Sequence, residues 1–436
     1  MILKFFGAAE EVGRSCIMIE SGNTKILLDS GVKIGDPIAY PTIEKHELKD
    51  VDGIVVTHAH LDHIGFLPHI YSGGWEGPTY LTKPTFELGN VIISDYLKIS
   101  NPKDVTRDGV LKMQRNSKMA EFNEEFRIKD LTVKLQKAGH ILGSSIIEVS
   151  DGRESLIYTG DINFGMSKIL DPAPRENLHA RTLITESTYG GDNDIFPTEK
   201  KITTDMVSSI KETVKQGGKV IIPSFGVGRS QEIMLTLDDY MHSGSLPHIP
   251  IYTDGMINKA LRIHRHNVIY CREELQKRIL MSEDDPFKSK NFFDVTSNQM
   301  RRKIMNSQES CIIVTTSGML NGGPVLRYLE RLGRYTENKM MLVGYQVEGT
   351  RGRDLQDGKK ELDINGRKVP VNLEVETYHL SAHADRQQLE RFVESINGLE
   401  NIFIVHGEPA KSRQFNDALK EKYKTHLPRI GEQFTL

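Results

Sequence analysis

GIVVTHAHLDH, residues 53–63, joins an apolar run to a dense group of metal-type side chains. Gly53 to Val56 have the composition of a buried strand, and His58, His60, Asp62 and His63 follow directly. Residues two apart at an extended strand end point to the same side, so His58 and His60 face together, while Asp62 and His63 turn inward from the loop or helix start that follows. Two neighbouring cations fit such a cluster. Imidazole nitrogen and carboxylate oxygen suit Zn2+, whose catalytic sites keep one position open for water, and Mn2+ accepts the same donors. A lone histidine is ordinarily a core or surface residue, and most of the 15 here, such as His46, His179 and His426, are read that way.

Further ligand-type residues stand at the ends of later apolar runs: His140 in KAGHILGSS, Asp161 in YTGDIN and His406 in IFIVHGEP. Alone, Asp161 is a turn-former behind Gly160; together the three complete two coordination sets. Up to Gly190 the chain alternates short strand-type runs with Gly and Asp: ILKFFGA, SCIMIE, TKILLDSG, GIVVTHAH, LTVKLQKAGH, ESLIYTGD and TLITEST. Some alternate and others are almost wholly apolar, as in inner strands of a sandwich covered by helices. From Phe196 the texture becomes helix (PTEKKITTDMVSSIKETVKQ), strand (KVIIPSF) and helix (SQEIMLTLDDYMH), and IPIYTDG, SCIIVTTSG and KMMLVGYQ continue it to Gly352. Strand alternating with helix predicts a parallel α/β unit. Asp357–Asn372 reads as a return to the sandwich, so the expected segments are 1–194, 195–356 and 357–436.

At 436 residues the chain exceeds one hydrophobic core. With 56 Lys+Arg against 59 Asp+Glu, no overall basic field marks a nucleic-acid binder, and any such contact must come from local patches such as Arg262, Arg265, Arg301, Arg302 and Lys303. Cys16, Cys271 and Cys311 are scattered and odd in number, which excludes a disulfide framework and fits a reducing cytoplasm. Neither a signal peptide nor a membrane span is legible.

HAHLDH, GHILGS and TGD resemble the successive metal-binding motifs of the metallo-β-lactamase superfamily. The resemblance implies an α/β protein, a four-layer αββα sandwich, with two Zn2+ per subunit. His58, His60, His140 and Asp161 would hold one ion and Asp62, His63, His406 and Asp161 the other. The segment from Ile195 to Gly352, with PSFGVGRSQE and TTSGMLNGGP, is similar to the β-CASP insertion of nucleases in this superfamily. Glu186 in ITESTYG, His383 in LSAHAD and His406 in VHGEP match its three motifs, and histidine in the third is the pattern of RNA-acting members. GAAEEVGRS, SAHAD and YQVEGT resemble most closely the endonuclease subunit of the cleavage and polyadenylation specificity factor and its archaeal homologues. Ribonuclease J is a relative, but its members write SGH where this chain has Ser381-Ala382-His383. Because the first strand begins at Met1, a minimal two-domain version is expected, acting on single-stranded RNA. The ending RIGEQFTL is similar to that of homologues that pair through their C-termini, which implies a homodimer, with a larger RNA-processing assembly open; a tail docked on its own domain is the simpler alternative.

Two cations roughly 3.5–4 Å apart suit phosphodiester cleavage, because they lower the pKa of a bridging water and neutralise phosphoryl charge. Asp62 can orient the hydroxide, and His383, held by Glu186, is the candidate general acid. Gly226-Val227-Gly228-Arg229 lacks the third glycine of a dinucleotide fingerprint, Gln231 standing there; Arg229 faces either phosphate or a salt bridge. Backbone amides at Ser317-Gly318 can hold a phosphate or simply form a turn. In β-CASP relatives that act from the 5′ end, backbone amides and small polar side chains near these motifs hold the terminal monophosphate, and that resemblance makes Ser317, Gly318, Ser381 and His379 the candidates. A short chain without accessory RNA-binding domains favours 5′-to-3′ exonucleolytic decay, with endonucleolytic cutting as the alternative. A small-molecule metallo-hydrolase is disfavoured by the large insertion. A catalytically silent RNA-binding partner is disfavoured by the intact ligand set.

Overall fold

Strand Ile17–Ser21 shows how the sequence sets the layers. Ile17 and Ile19 pack into one cluster and Met18 into another, so successive side chains feed two cores on opposite faces. Strand Thr24–Leu28 does the same, with Ile26 and Leu28 on one side and Leu27 on the other. Apolar residues on both faces of one strand require a cover on each side.

The computed structural model describes residues 1–35, 37–282 and 284–436. It divides into two units, Met1–Gly165 with Asp171–Ile195 and His383–Leu436, and Met166–Leu170 with Phe196–Ala382. In the first unit, one seven-stranded sheet runs in the order Gln433–Thr435, Ile2–Phe5, Ile17–Ser21, Thr24–Leu28, Gly53–Val55, Thr79–Leu81 and Ser117–Met119. A second runs Lys424–His426, Asn401–Val405, Thr182–Glu186, Ser155–Tyr158, Ser145–Ser150, Leu131–Lys137 and Glu125–Ile128. Leu3, Phe5, Ile19 and Leu28 of the first sheet share a buried cluster with Val133, Ile147, Leu156 and Phe403 of the second. Each such side chain contributes about 1.5–3 kcal/mol by leaving water. Ile64, Leu67, Ile70 and Ile93 from helical segments cover the outer face of the first sheet, and Leu389, Phe392 and Phe415 cover that of the second. The result is the expected αββα sandwich.

The second unit carries a six-stranded parallel sheet in the order Phe292–Asp294, Ile251–Asp254, Ile312–Thr315, Val220–Pro223, Lys339–Val343 and Glu374–Tyr378. Its helices Glu199–Lys215 and Arg229–His242 lie where the amphipathic pattern placed them. The boundary expected at Asp357 falls elsewhere. Glu361–Ile364 and Arg367–Pro370 form a separate two-stranded hairpin whose Leu362, Ile364 and Val369 pack into the core of the second unit. Glu374–Tyr378 then pairs with Lys339–Val343, and the first unit resumes only at His383. A hairpin with one buried face has the same period-two alternation as a sandwich strand, so the pattern alone could not separate them.

The tail docks on its own domain, the simpler of the two readings. Gln433–Thr435 pairs antiparallel with Ile2–Phe5, and the Phe434 ring lies 5.9 Å from Phe5 and 5.0 Å from Phe403. The apolar residues that suggested a homodimer therefore have partners within their own chain. Among the described residues no helix is long and apolar enough to cross a membrane, and the three cysteines are buried and unbridged.

Phe434→Ala is expected to cost about 2 kcal/mol, below the usual range for a fully buried ring because this one is partly exposed. Urea unfolding measures this, and an unchanged midpoint would contradict in-chain docking.

Candidate metal centre

Each candidate ligand leaves the sandwich at the end of a strand of the first unit. His58 and His60 follow Gly53–Val55, and His60 stands in extended conformation as the residue capping helix Leu61–Ile64, which carries Asp62 and His63. His140 follows Leu131–Lys137, Asp161 follows Ser155–Tyr158, and His406 follows Asn401–Val405. Glu186 ends Thr182–Glu186, and His383 precedes helix Arg386–Ser395, which Asp385 caps through the Gln388 amide. The turn before Asp161 needs glycine: Gly160 has φ +51°, and a Cβ there would lie 2.7 Å from the Thr57 side chain. His406 itself adopts φ 49°, held by its amide donating to Ala8 O at 2.7 Å.

These residues converge in two sets whose ligand atoms lie within 4.8 Å of one another: His58, His60, His140 and Asp161, and Asp62, His63 and His406. Asp161 reaches both. Its Oδ2 is 3.5 Å from His58 Nε2 and from His140 Nε2, and its Oδ1 is 3.3 Å from His63 Nε2. His60 Nδ1 lies 3.2 Å from His58 Nε2 and 3.1 Å from His140 Nε2. Three imidazole nitrogens facing one another at such distances are poised to share a cation. His63 Nε2 and Asp161 Oδ1 make no hydrogen bond although both are buried, which costs free energy unless a cation takes their lone pairs. The donor set thus fits Zn2+. Asp62 is the more open ligand, its side chain 29% exposed and its Oδ2 3.5 Å from His406 Nε2.

The electrostatics are those of a site built for positive charge. Burial opposes ionisation of Asp161, yet His63, His406, His383 and His58 hold its carboxyl well below the ordinary range. Burial and the neighbouring His63 keep His58 well below the usual imidazole value, as a neutral ligand requires. Burial alone would lower His63, but Asp161 and Asp29 raise it well above normal. A third grouping, Asp161, Glu186 and His383, has a different explanation. His383 Nδ1 donates to both Glu186 oxygens at 3.0 and 3.1 Å, and Glu186 Oε1 also accepts the Ile162 amide at 2.7 Å. Against burial, Glu186 and Asp161 push the His383 pKa up to about 9, so the ring carries a proton at neutral pH.

Asp29 escaped the sequence reading. It follows strand Thr24–Leu28 at φ 60° and accepts His63 Nδ1 at 2.6 Å, the Thr57 amide at 2.7 Å and the Tyr158 hydroxyl at 2.8 Å. Its only signal was an aspartate behind the apolar run TKILL, with no ligand-type neighbour. A carboxylate on the far nitrogen of a ligating histidine orients the ring and raises its basicity.

The five phosphate-binding candidates belong to the second unit. The Ser317 hydroxyl closes its own loop, donating to Gly322 O at 3.1 Å, and Gly318 O accepts from the Gln346 side chain at 3.2 Å. Arg229 is buried close to Glu199 and Glu232, whose carboxyls burial raises above the ordinary range despite that positive charge, Glu199 to about 7. His379 follows strand Glu374–Tyr378 and stacks on Phe196 at 4.7 Å; Ser381 is half-buried two residues later. In the basic cluster, Arg265 pairs with Asp285 and Arg301 with Asp254, leaving Arg262, Arg302 and Lys303 exposed.

An αββα sandwich with histidines and aspartates at its strand ends, interrupted by a parallel α/β insertion, defines a metallo-hydrolase of the metallo-β-lactamase class. Residues 9–212 match the metallo-beta-lactamase superfamily, 230–355 the Beta-Casp domain, and 368–428 the Zn-dependent metallo-hydrolase RNA specificity domain. The chain is 38% identical to the transcription termination factor FttA of Methanocaldococcus jannaschii, over 98% of its own length and 70% of that protein's. It is 36% identical to the factor of the same name from Cenarchaeum symbiosum, over 100% and 70% of the two chains. The chain belongs to the β-CASP family of zinc-dependent metallo-β-lactamase hydrolases, whose members act as nucleases. A solved structure of a protein of unknown function from Enterococcus faecalis V583 shares the fold alone, at 12% identity and TM-score 0.59 over 100% of this chain and 99% of that one.

His140→Ala is expected to lower the zinc content of dialysed protein, while His383→Ala leaves it at the wild-type value, measured by atomic emission. Equal loss from both would remove the distinction drawn between ligand and proton carrier.

Proposed function

We propose that the chain is a ribonuclease that binds two Zn2+ and hydrolyses phosphodiester bonds of single-stranded RNA, cutting internally in a transcript. One observation carries this reading: Asp161 offers one oxygen to each ligand set, at 3.3 and 3.5 Å, with the protonated His383 beside it at 4.0 Å. The zinc ions, when bound, supply the charge that ionises water and neutralises the phosphoryl oxygens. Asp62, at the open side of the site, orients the attacking oxygen, which forms the new bond to phosphorus. The bond from phosphorus to the leaving oxygen breaks, and His383, kept charged by Glu186, delivers the proton that oxygen needs. RNA as substrate is supported by the match to an RNA specificity domain and by relatives named for transcription termination.

Internal cutting is favoured over the 5′-to-3′ exonucleolytic mode because Ser317, expected to grip a terminal phosphate, is engaged with Gly322, and Arg229 is buried rather than open to solvent. Gly318, Ser381 and His379, at strand ends of the second unit, keep the exonuclease as the second reading.

A time course on 3′-labelled single-stranded RNA bearing a 5′ monophosphate, triphosphate or hydroxyl separates the two. Internal fragments indifferent to the 5′ group are expected, abolished by a chelator and restored by Zn2+. Decay starting at the 5′ end and preferring the monophosphate would establish the exonuclease. Zinc-loaded protein that leaves RNA intact would favour the small-molecule hydrolase. His383→Ala is expected to lower the cleavage rate roughly 10²- to 10⁴-fold.

A further inference from the structure

Helices Asn298–Asn306 and Pro324–Leu332 of the second unit turn their apolar residues inward. Ile304 from the first and Val325, Tyr328, Leu329 and Leu332 from the second pack into one core. The outward faces carry arginines tied to asparagines. Arg327 Nη1 donates to Asn298 Oδ1 at 2.6 Å, an oxygen that also accepts from Arg301. Arg331 donates to Asn306 Oδ1 from Nη2 at 3.0 Å and from Nε at 3.3 Å. Asn298, Arg302 and Asn306 follow one another at intervals of four residues and are all exposed, so they share one stripe of their helix. The two asparagines stand about 12 Å apart along its axis, with Arg302 between the two fastened guanidinium groups.

An asparagine oxygen holds a guanidinium in place without cancelling its charge, whereas a carboxylate does both. Arg301, in the same helix, shows the contrast: it donates to Asp254 through Nε at 2.6 Å and Nη2 at 2.9 Å, and its charge is neutralised. Among the described residues Arg302, Arg327 and Arg331 form no ion pair, and neither does Glu330, the one carboxylate of the second helix. Three cations in a row, two of them oriented in advance, are left unneutralised in a chain whose net charge is -3. They fit a ligand that brings its own repeated negative charge. Guanidinium forks match phosphate oxygens, and a nucleic-acid strand supplies phosphates in series.

We propose that Arg327, Arg302 and Arg331 hold the phosphate backbone of single-stranded RNA, with Asn298 and Asn306 as positioning residues that keep the outer two arginines ready. This rests on the reading that the chain acts on RNA. Contacts of this kind read charge and not base, so the grip is indifferent to sequence.

Binding of a labelled oligouridylate is measured by fluorescence anisotropy over a range of salt, using the zinc-loaded full chain with His383→Ala so that the strand survives. Each phosphate contact to a single strand contributes about 0.7 to the slope of log Kd against log salt, so Arg327→Ala with Arg331→Ala should lower that slope by about 1.4. Asn298→Asp with Asn306→Asp keeps both arginines and sets a carboxylate against each. It should lower the slope by a comparable amount while the protein melts no lower than its parent. In a purely structural role aspartate would fasten the arginines as well as asparagine does and leave RNA binding alone. An unchanged slope in either double variant would overturn the proposal. A chain that shows the expected slopes but, with His383 restored and zinc bound, leaves RNA uncut overturns the ribonuclease reading instead and leaves the surface standing.

Discussion

Asp161 is a carboxylate buried among five imidazoles, and the sandwich around it is the means of holding that arrangement still. Unpaired, a buried carboxylate is among the most expensive groups a protein can contain. Here its cost is offset by the positive charge that the surrounding rings, and the cations they are shaped for, bring to it. Such compensation works only if the rings cannot drift. His58, His140 and His406 therefore follow strands locked between apolar layers, His63 sits in a short helix and His383 leads into another, so that rigid elements set much of the geometry.

What was legible in the sequence was local. His58, His60, Asp62 and His63 lie within one turn-sized stretch, and their spacing along a strand end is a geometric statement by itself. The alternation of Ile17, Met18 and Ile19 likewise forecasts two apolar faces and hence a covered sandwich. What was not legible depends on partners far away in the chain. Asp29 is recognisable only once His63, 34 positions on, has been brought to it. Arg229 reads equally as a phosphate contact or a salt-bridge residue, and only the fold brings Glu199 and Glu232 near it. The hairpin at Glu361–Pro370 carries the right period for a strand but no mark of which core will receive it.

The second unit follows a different logic. Its central strands Val220–Pro223, Ile312–Thr315 and Lys339–Val343 are buried throughout, and polar residues such as Asp254, Ser317 and His379 stand at or beyond carboxyl ends of its strands, as in other open α/β sheets. Several side chains there serve the fold itself: Gln231 caps the helix that begins at Arg229, accepting from the Gly228 amide at 2.8 Å, and Tyr328 and Arg301 both serve Asp254. This is why a residue type alone overstates the number of binding groups.

The separation between Ala8 and His406, joined through the backbone, bears on how the protein comes into being. Strands Ile2–Phe5 and Asn401–Val405 belong to opposite sheets of one sandwich and share its core through the stacked rings of Phe5 and Phe403, 5.6 Å apart. During synthesis the second unit is made in full before His406 exists, and it can fold while the sandwich is still open. The ligand set closes last. A chain still short of His406 therefore lacks one residue of the second ligand set.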